Sequence, residues 1–174
     1  MNVPMCQGAE AIERDIELIA THLRLGNLMR APGPEQDLSA AIKNYSHAID
    51  IDNSTILQYQ QDHGLKYLGL EALLQRARTY GAMHELDRAA ADIDLLLNIW
   101  PQHSLPWFEK ARIEIARGGF SEAVRLLDKA IERQPDFAQA YYHRAYAHQK
   151  LGDNAQAARD CRTAQTFDPS IKCN

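Results

Sequence analysis

The sequence predicts an all-α solenoid of antiparallel helix pairs, on two observations. The first is a repeat. Trp107, Ala111, Gly118, Ala123, Ala130 and Pro135 return as Tyr141, Ala145, Gly152, Ala157, Ala164 and Pro169, each displaced by the same interval with no insertion. A constant period of about 34 residues marks stacked supersecondary units, none of which can bury its apolar face alone. The second is the apolar spacing of three and four residues through most of the chain, the signature of amphipathic helices.

Residues 1–8 contain Pro4 and Gly8 and read as a disordered start. From Ala9, the spacing of Ile12, Ile16, Ile19 and Leu23 predicts a helix to about Met29 or Arg30, where Ala31-Pro32-Gly33-Pro34 must end it. A second helix is expected from about Gln36 to Ile51. Residues 54–69 are harder to place. Ile56, Tyr59, Tyr67, Leu70, Leu74 and Ala77 mostly keep helical spacing, which predicts one long helix from about Ser54 to Gly81 with Ser54 or Thr55 as its N-cap. Gly64 and Gly69 each cost a helix interior about 1 kcal/mol against alanine, so a break near Gly64 is the rival reading. Helix pairs then follow at about 71–82 with 86–98, 104–117 with 121–133, and 138–150 with 154–167.

The order aromatic, small residue, two alanines, proline resembles the tetratricopeptide repeat family. That resemblance implies a right-handed α-α superhelix of four repeats. The first, 9–53, is degenerate: Gly26, Ala41, Tyr45 and Ala48 match, Asn53 stands for the closing proline, and the Pro-Gly-Pro turn is a three-residue insertion. The others are 70–103, 104–137 and 138–169, followed by a tail at 170–174. In 70–103 His84 stands where the other copies have the turn glycine. Small residues should mark close helix approach, so Ala77 with Ala89, Ala111 with Ala123 and Ala145 with Ala157 are expected to meet. The last helix must act as its own cap, which leaves Cys161 and Phe167 partly uncovered.

Composition excludes several function classes. The net charge of −4 offers no basic excess for nucleic acid, and no apolar run approaches the roughly 18 residues of a membrane span. There is no secretory signal pattern. Cys6, Cys161 and Cys173 form an odd, scattered set that does not read as a disulfide framework, which points to a reducing, cytoplasmic setting. No phosphate loop, HExxH, CxxC or nucleophile elbow is present, so no enzyme activity, cofactor or metal is expected. His143 and His148 are five positions apart and fall on different helix faces.

In the resembled family the first helix of each pair lines a concave groove. Matched position by position, the resemblance gives a peptide-binding set of Arg24, Asn27, Leu74, Gln75, Arg78, Phe108, Arg112, Tyr142, His143 and Tyr146. Arg78 and Arg112 could hold a carboxylate beside the aromatics, or could instead pair with Glu71 and Glu109. The family's clamp for the acidic tails of heat-shock chaperones needs lysine and asparagine where this chain has Leu23, Gln75, Leu105, Glu109 or His143, so that ligand is not expected. The function implied is a non-enzymatic adaptor, scaffold or co-chaperone-like module for a protein or peptide. The alternative is a self-associating subunit, or a regulatory domain of a larger complex, that uses its C-terminal or junction helix as interface.

Overall fold

The computed structural model describes residues 4–33, 36–58 and 63–173, and side chains for 13–33, 36–51 and 68–173. Its elements are α1 (Pro4–Arg30), α2 (Leu38–Gln58), α3 (His63–Ala82), α4 (Leu86–Ile99), α5 (Ser104–Arg117), α6 (Phe120–Arg133), α7 (Ala138–Lys150) and α8 (Asn154–Phe167). No strand occurs among the described residues. The chain forms two compact units, Met1–Asp92 and Ile93–Asn174.

In the N-terminal unit α1 packs on α2, and α3 packs on both. The α1–α2 crossing is set by Gly26. A Cβ there would stand 2.7 Å from Cδ1 of the Tyr45 ring, so only glycine admits that fully buried side chain. Tyr45 donates its hydroxyl to Asn27 Oδ1 at 2.8 Å, and burial raises its pKa. Ala41 and Ala48 complete the seam with no exposure. Asp37 caps α2, its Oδ1 accepting from the Ala40 amide at 2.9 Å.

Two expectations fail in this unit. The helix begins at Pro4, so residues 4–8 are not an irregular start. Helix α2 runs through Asn53, Ser54 and Thr55 to Gln58, and a separate helix starts at His63. The single helix over 54–81 is therefore two, divided before Gly64. A hydroxyl cap supplies only about 1 kcal/mol, too little to start a helix where an existing one can continue. The side chains of Ile56, Tyr59 and Tyr67 lie outside the described residues.

His84 takes the left-handed conformation, with φ 61°. Gly118 and Gly152, one and two periods further on, do the same at φ 80° and 84°. The amides of Glu85, Gly119 and Asp153 each reach back five positions, to the carbonyls of Tyr80, Glu114 and His148. These contacts close the same helix-ending turn three times. Geometry is kept where the glycine is not.

In the C-terminal unit α5–α6, α6–α7 and α7–α8 are the main packing pairs. Its core joins Phe108, Ala111, Ala123, Leu126, Leu127 and Ala130 to Ala140 and Ala147. Ala111 and Ala123 are both fully buried, in keeping with a close approach of backbones. Trp107 is only partly buried. Its indole N–H donates to the Pro101 carbonyl at 2.8 Å while Lys129 and Arg133 cover its face.

A ladder of ion pairs follows the same period. Arg76, Lys110 and Arg144 stand at one register in successive repeats. Arg76 holds Asp92 through two nitrogens at 2.8 and 2.7 Å, and Lys110 pairs with Asp94. Arg144 holds Asp160 bidentately at 2.8 and 2.7 Å and reaches Asp128 at 2.6 Å. These contacts raise the Arg144 pKa despite its burial. Every partner lies on the second helix of a pair at the same separation in sequence, a regularity that the repeat contains but that no motif advertises.

Cys161 and Cys173 form a disulfide, contrary to the expectation of unpaired thiols. The tail turns back at Asp168, whose carboxylate accepts from the Ser170 amide and hydroxyl. Gln165 then donates to the Ile171 carbonyl at 3.2 Å, holding the tail along α8. The cysteine pattern therefore gives no support to a reducing compartment.

Candidate functional site

Of the residues carried over by the family resemblance, the structure leaves some exposed and buries others. In the N-terminal unit Arg24 and Asn27 are exposed at the surface, and Asn27 is held by Tyr45. Leu74 is buried in the core. Gln75 is also buried, with its Nε2 donating to Glu71 and its Oε1 left without a partner. Arg78 is half-buried.

The C-terminal unit brings the rest together. Phe108 is only 3% exposed, sealed by the rings of Phe137 at 4.8 Å and His143 at 5.2 Å. It is part of the floor of the face and cannot offer a free ring to a ligand. Arg112 donates to the buried Glu109 carboxylate at 2.9 Å, one turn back on α5. Of the two expectations for Arg112, pairing with Glu109 is the one observed. His143 sits between these groups, and its pKa is pushed down to about 4. Burial is the main cause, the Arg112 cation adds to it, and Glu109 opposes it. The ring is therefore a neutral packing group at neutral pH.

Tyr142 and Tyr146 are accessible, 38% and 39% exposed one helical turn apart on α7, and Arg112 on α5 is exposed as well. The two tyrosines border an open cavity of about 700 Å³ between α7 and α8. Ala145, Ala157 and Ala158 let its floor lie close to the backbones, and Gln149, Asn154 and Arg162 supply polar edges. Cys161 and Cys173 line it too, so the disulfide forms part of its wall. The second-helix residues of this cavity were not in the peptide-binding set, because only first-helix positions were carried over, although the repeat had already placed Ala157 and left Cys161 partly uncovered.

Among the described residues no three His, Cys, Asp or Glu side chains form a group able to hold a metal ion. No helix, over the same residues, is long and apolar enough to cross a membrane.

Comparison with known proteins agrees with this architecture. A tetratricopeptide repeat model matches residues 108–170. Among curated proteins, FlbA of Caulobacter vibrioides is 29% identical over 86 residues, covering 48% of this chain and 14% of its own length. ETO1-like protein 2 of Arabidopsis thaliana is 30% identical over 86 residues, covering 49% and 9%. The match thus spans only about a tenth of these much longer relatives. Among solved structures, MamA residues 41 to the end from Desulfovibrio magneticus RS-1 align with a TM-score of 0.61 at 11% identity, over 91% of this chain and 78% of that one. A thermophilic TPR protein of Thermus thermophilus aligns with a TM-score of 0.60 at 18% identity, over 87% and 75%. Residues 108–170 therefore carry tetratricopeptide repeats by sequence, and the chain is a tetratricopeptide repeat protein in fold.

Proposed function

We propose that the chain is a non-enzymatic adaptor or scaffold that binds a peptide or helix of a partner protein through the C-terminal unit. One observation carries the reading: Tyr142 and Tyr146 are exposed side by side at the rim of an open cavity floored by alanines. Tyrosine suits such a rim, with a large apolar face and a hydroxyl that stays wet, and it loses little entropy on binding. Phe108, Glu109 and His143 are packed behind them, the His143 ring against both Phe108 and Tyr142. A chaperone-tail clamp is not part of the proposal, because buried Glu109 and neutral His143 stand where cations or amides would be needed. A peptide-display library panned on wild type and on Tyr142→Ala/Tyr146→Ala tests it. Capture should fall at least about tenfold in the variant, as for a hot-spot pair, and equal capture by both proteins sinks the assignment.

Self-association is the second reading, supported by Leu151 and Phe167, both exposed in the last helix pair. Light scattering of a strictly monomeric chain at high concentration removes it.

A further inference from the structure

The segment after Pro169 repeats a turn made one period earlier and then attaches by different chemistry. The Phe137 amide donates to the Gln134 carbonyl at 3.2 Å, and the Ile171 amide donates to the counterpart carbonyl of Asp168 at 3.1 Å. After the first of these turns the attachment is apolar. Phe137 packs on the buried cluster that contains Phe108 and Leu127, with its ring 4.8 Å from that of Phe108. One period later Phe137 becomes Ile171, while Leu127 and Gln139 become Cys161 and Cys173, which are bonded to each other. A covalent bond stands where the repeat uses an apolar contact.

Two features make that bond a point of control. Both cysteines are half-buried and line the open cavity between α7 and α8, so a thiol reaches the sulfurs without unfolding the repeats. Accessible disulfides are the labile ones in thiol exchange. The other holds on the segment are weak. Gln165 reaches the Ile171 carbonyl from an exposed position, and the Asp168 carboxylate accepts from Ser170 within the turn itself. Water replaces such bonds at little net cost. Helix α8, by contrast, is held without the bond: Ala164 and Asp160 are buried, and Arg144 grips Asp160 through two nitrogens.

We propose that Cys161–Cys173 is a redox-operated latch: reduction by thiols releases residues 170–173 from α8, takes away the wall that Cys173 gives the cavity, and leaves the helices intact. The thiolate of a small-molecule or protein thiol attacks one sulfur, and the other leaves as a thiolate that takes up a proton. A second thiolate resolves the mixed disulfide in the same way, so two thiols are oxidised to one disulfide as the two cysteines are reduced. The latch works in this way whatever the cavity binds.

Backbone NMR relaxation of the 174-residue chain tests it in three forms: oxidised, held in excess reduced glutathione without denaturant, and as Cys161→Ser/Cys173→Ser. Order parameters at 170–173 should be about 0.85 in the oxidised chain and below about 0.6 in the other two, with those of α7 and α8 unchanged. A segment equally rigid, or equally mobile, in the oxidised chain and the serine variant would show that the bond does not hold it. Loss of order in α8 along with the segment would make the bond a structural staple. A bond that stays closed in glutathione would be out of reach of thiols. Each of these three results overturns the latch.

Discussion

Replacing Arg144 by alanine isolates the ion-pair ladder from ordinary helix packing. Asp160 is 4% exposed at its side chain and Arg144 15%, so the carboxylate has been removed from water and depends on the two guanidinium bonds. Truncating the arginine strands it. Breaking a buried pair from one side costs about 3–5 kcal/mol, whereas the Asp128 arm, half-exposed at its carboxylate, contributes well under about 1 kcal/mol. The lost cover over Tyr141, whose ring lies 5.3 Å from the guanidinium carbon, adds to the first figure. Urea unfolding followed by circular dichroism should therefore show a loss of about 3 kcal/mol or more for Arg144→Ala. The pair Arg144→Met/Asp160→Leu, which removes both charges, should lose markedly less, because no unpaired charge remains. A single-variant loss below about 1 kcal/mol would show that Asp160 regains water when the arginine goes, and would refute the assignment of a desolvated Arg144–Asp160 pair.

Other sites give independent tests. His84→Gly should stabilise by about 0.5–1 kcal/mol in thermal or urea unfolding, because φ 61° strains every residue but glycine and asparagine-like ones. Gly26→Ala should cost about 1–3 kcal/mol, since its Cβ would fall within 3 Å of the buried Tyr45 ring, and Tyr45→Leu in the same chain should recover part of that loss. His143 titrates at 6.5 when unfolded and at about 4 when folded, so the unfolded chain takes up the proton first. Stability should then be full above pH 6.5 and fall between pH 6.5 and 4, by at most about 3 kcal/mol; His143→Phe should flatten that part of the profile. Non-reducing mass spectrometry with alkylation should label neither Cys161 nor Cys173 in the oxidised chain, and labelling of both would refute the disulfide.

The helices from α4 to α8 were legible because a repeat supplies two readings of every position. Trp107 and Tyr141, or Gly118 and Gly152, predict each other, and their helix limits agree with the structure to within one or two positions. The division of 54–81 was legible only as the rival reading that Gly64 suggested, since Ser54 and Thr55 look like cap residues locally and propensities of about 1 kcal/mol yield to tertiary context. The Cys161–Cys173 bond was missed for a different reason. The cysteines are well separated in sequence, and only the turn at Asp168-Pro169-Ser170, itself visible as a breaker cluster, brings them together. Leu23, Leu74, Phe108 and Tyr142 hold one register of the resembled repeat but do not form one surface. Three of the four are buried, and only Tyr142, on the last first-helix of the chain, is exposed.

That exception bears on where recognition specific to this chain can arise. Within the repeat, Phe108 is buried by the helix that follows it, so selection for packing acts on it whatever the chain binds. Tyr142 stands at the same register and is exposed at the rim of the cavity between α7 and α8. Two counterpart pairs one period apart differ in the same way. Leu127 is fully buried while Cys161 is not, and Asp128 neutralises Arg144 while Arg162 faces the opening. Departures from the repeat pattern that fall in the packed core of α5, α6 and α7 should change stability and leave binding alone. Departures that line the cavity between α7 and α8 should do the reverse. Arg144→Ala and Arg162→Asp are the matched pair for this contrast, both cationic and both in the last helix pair. The first should destabilise by kilocalories, and the second should leave the unfolding free energy within about 0.5 kcal/mol of wild type.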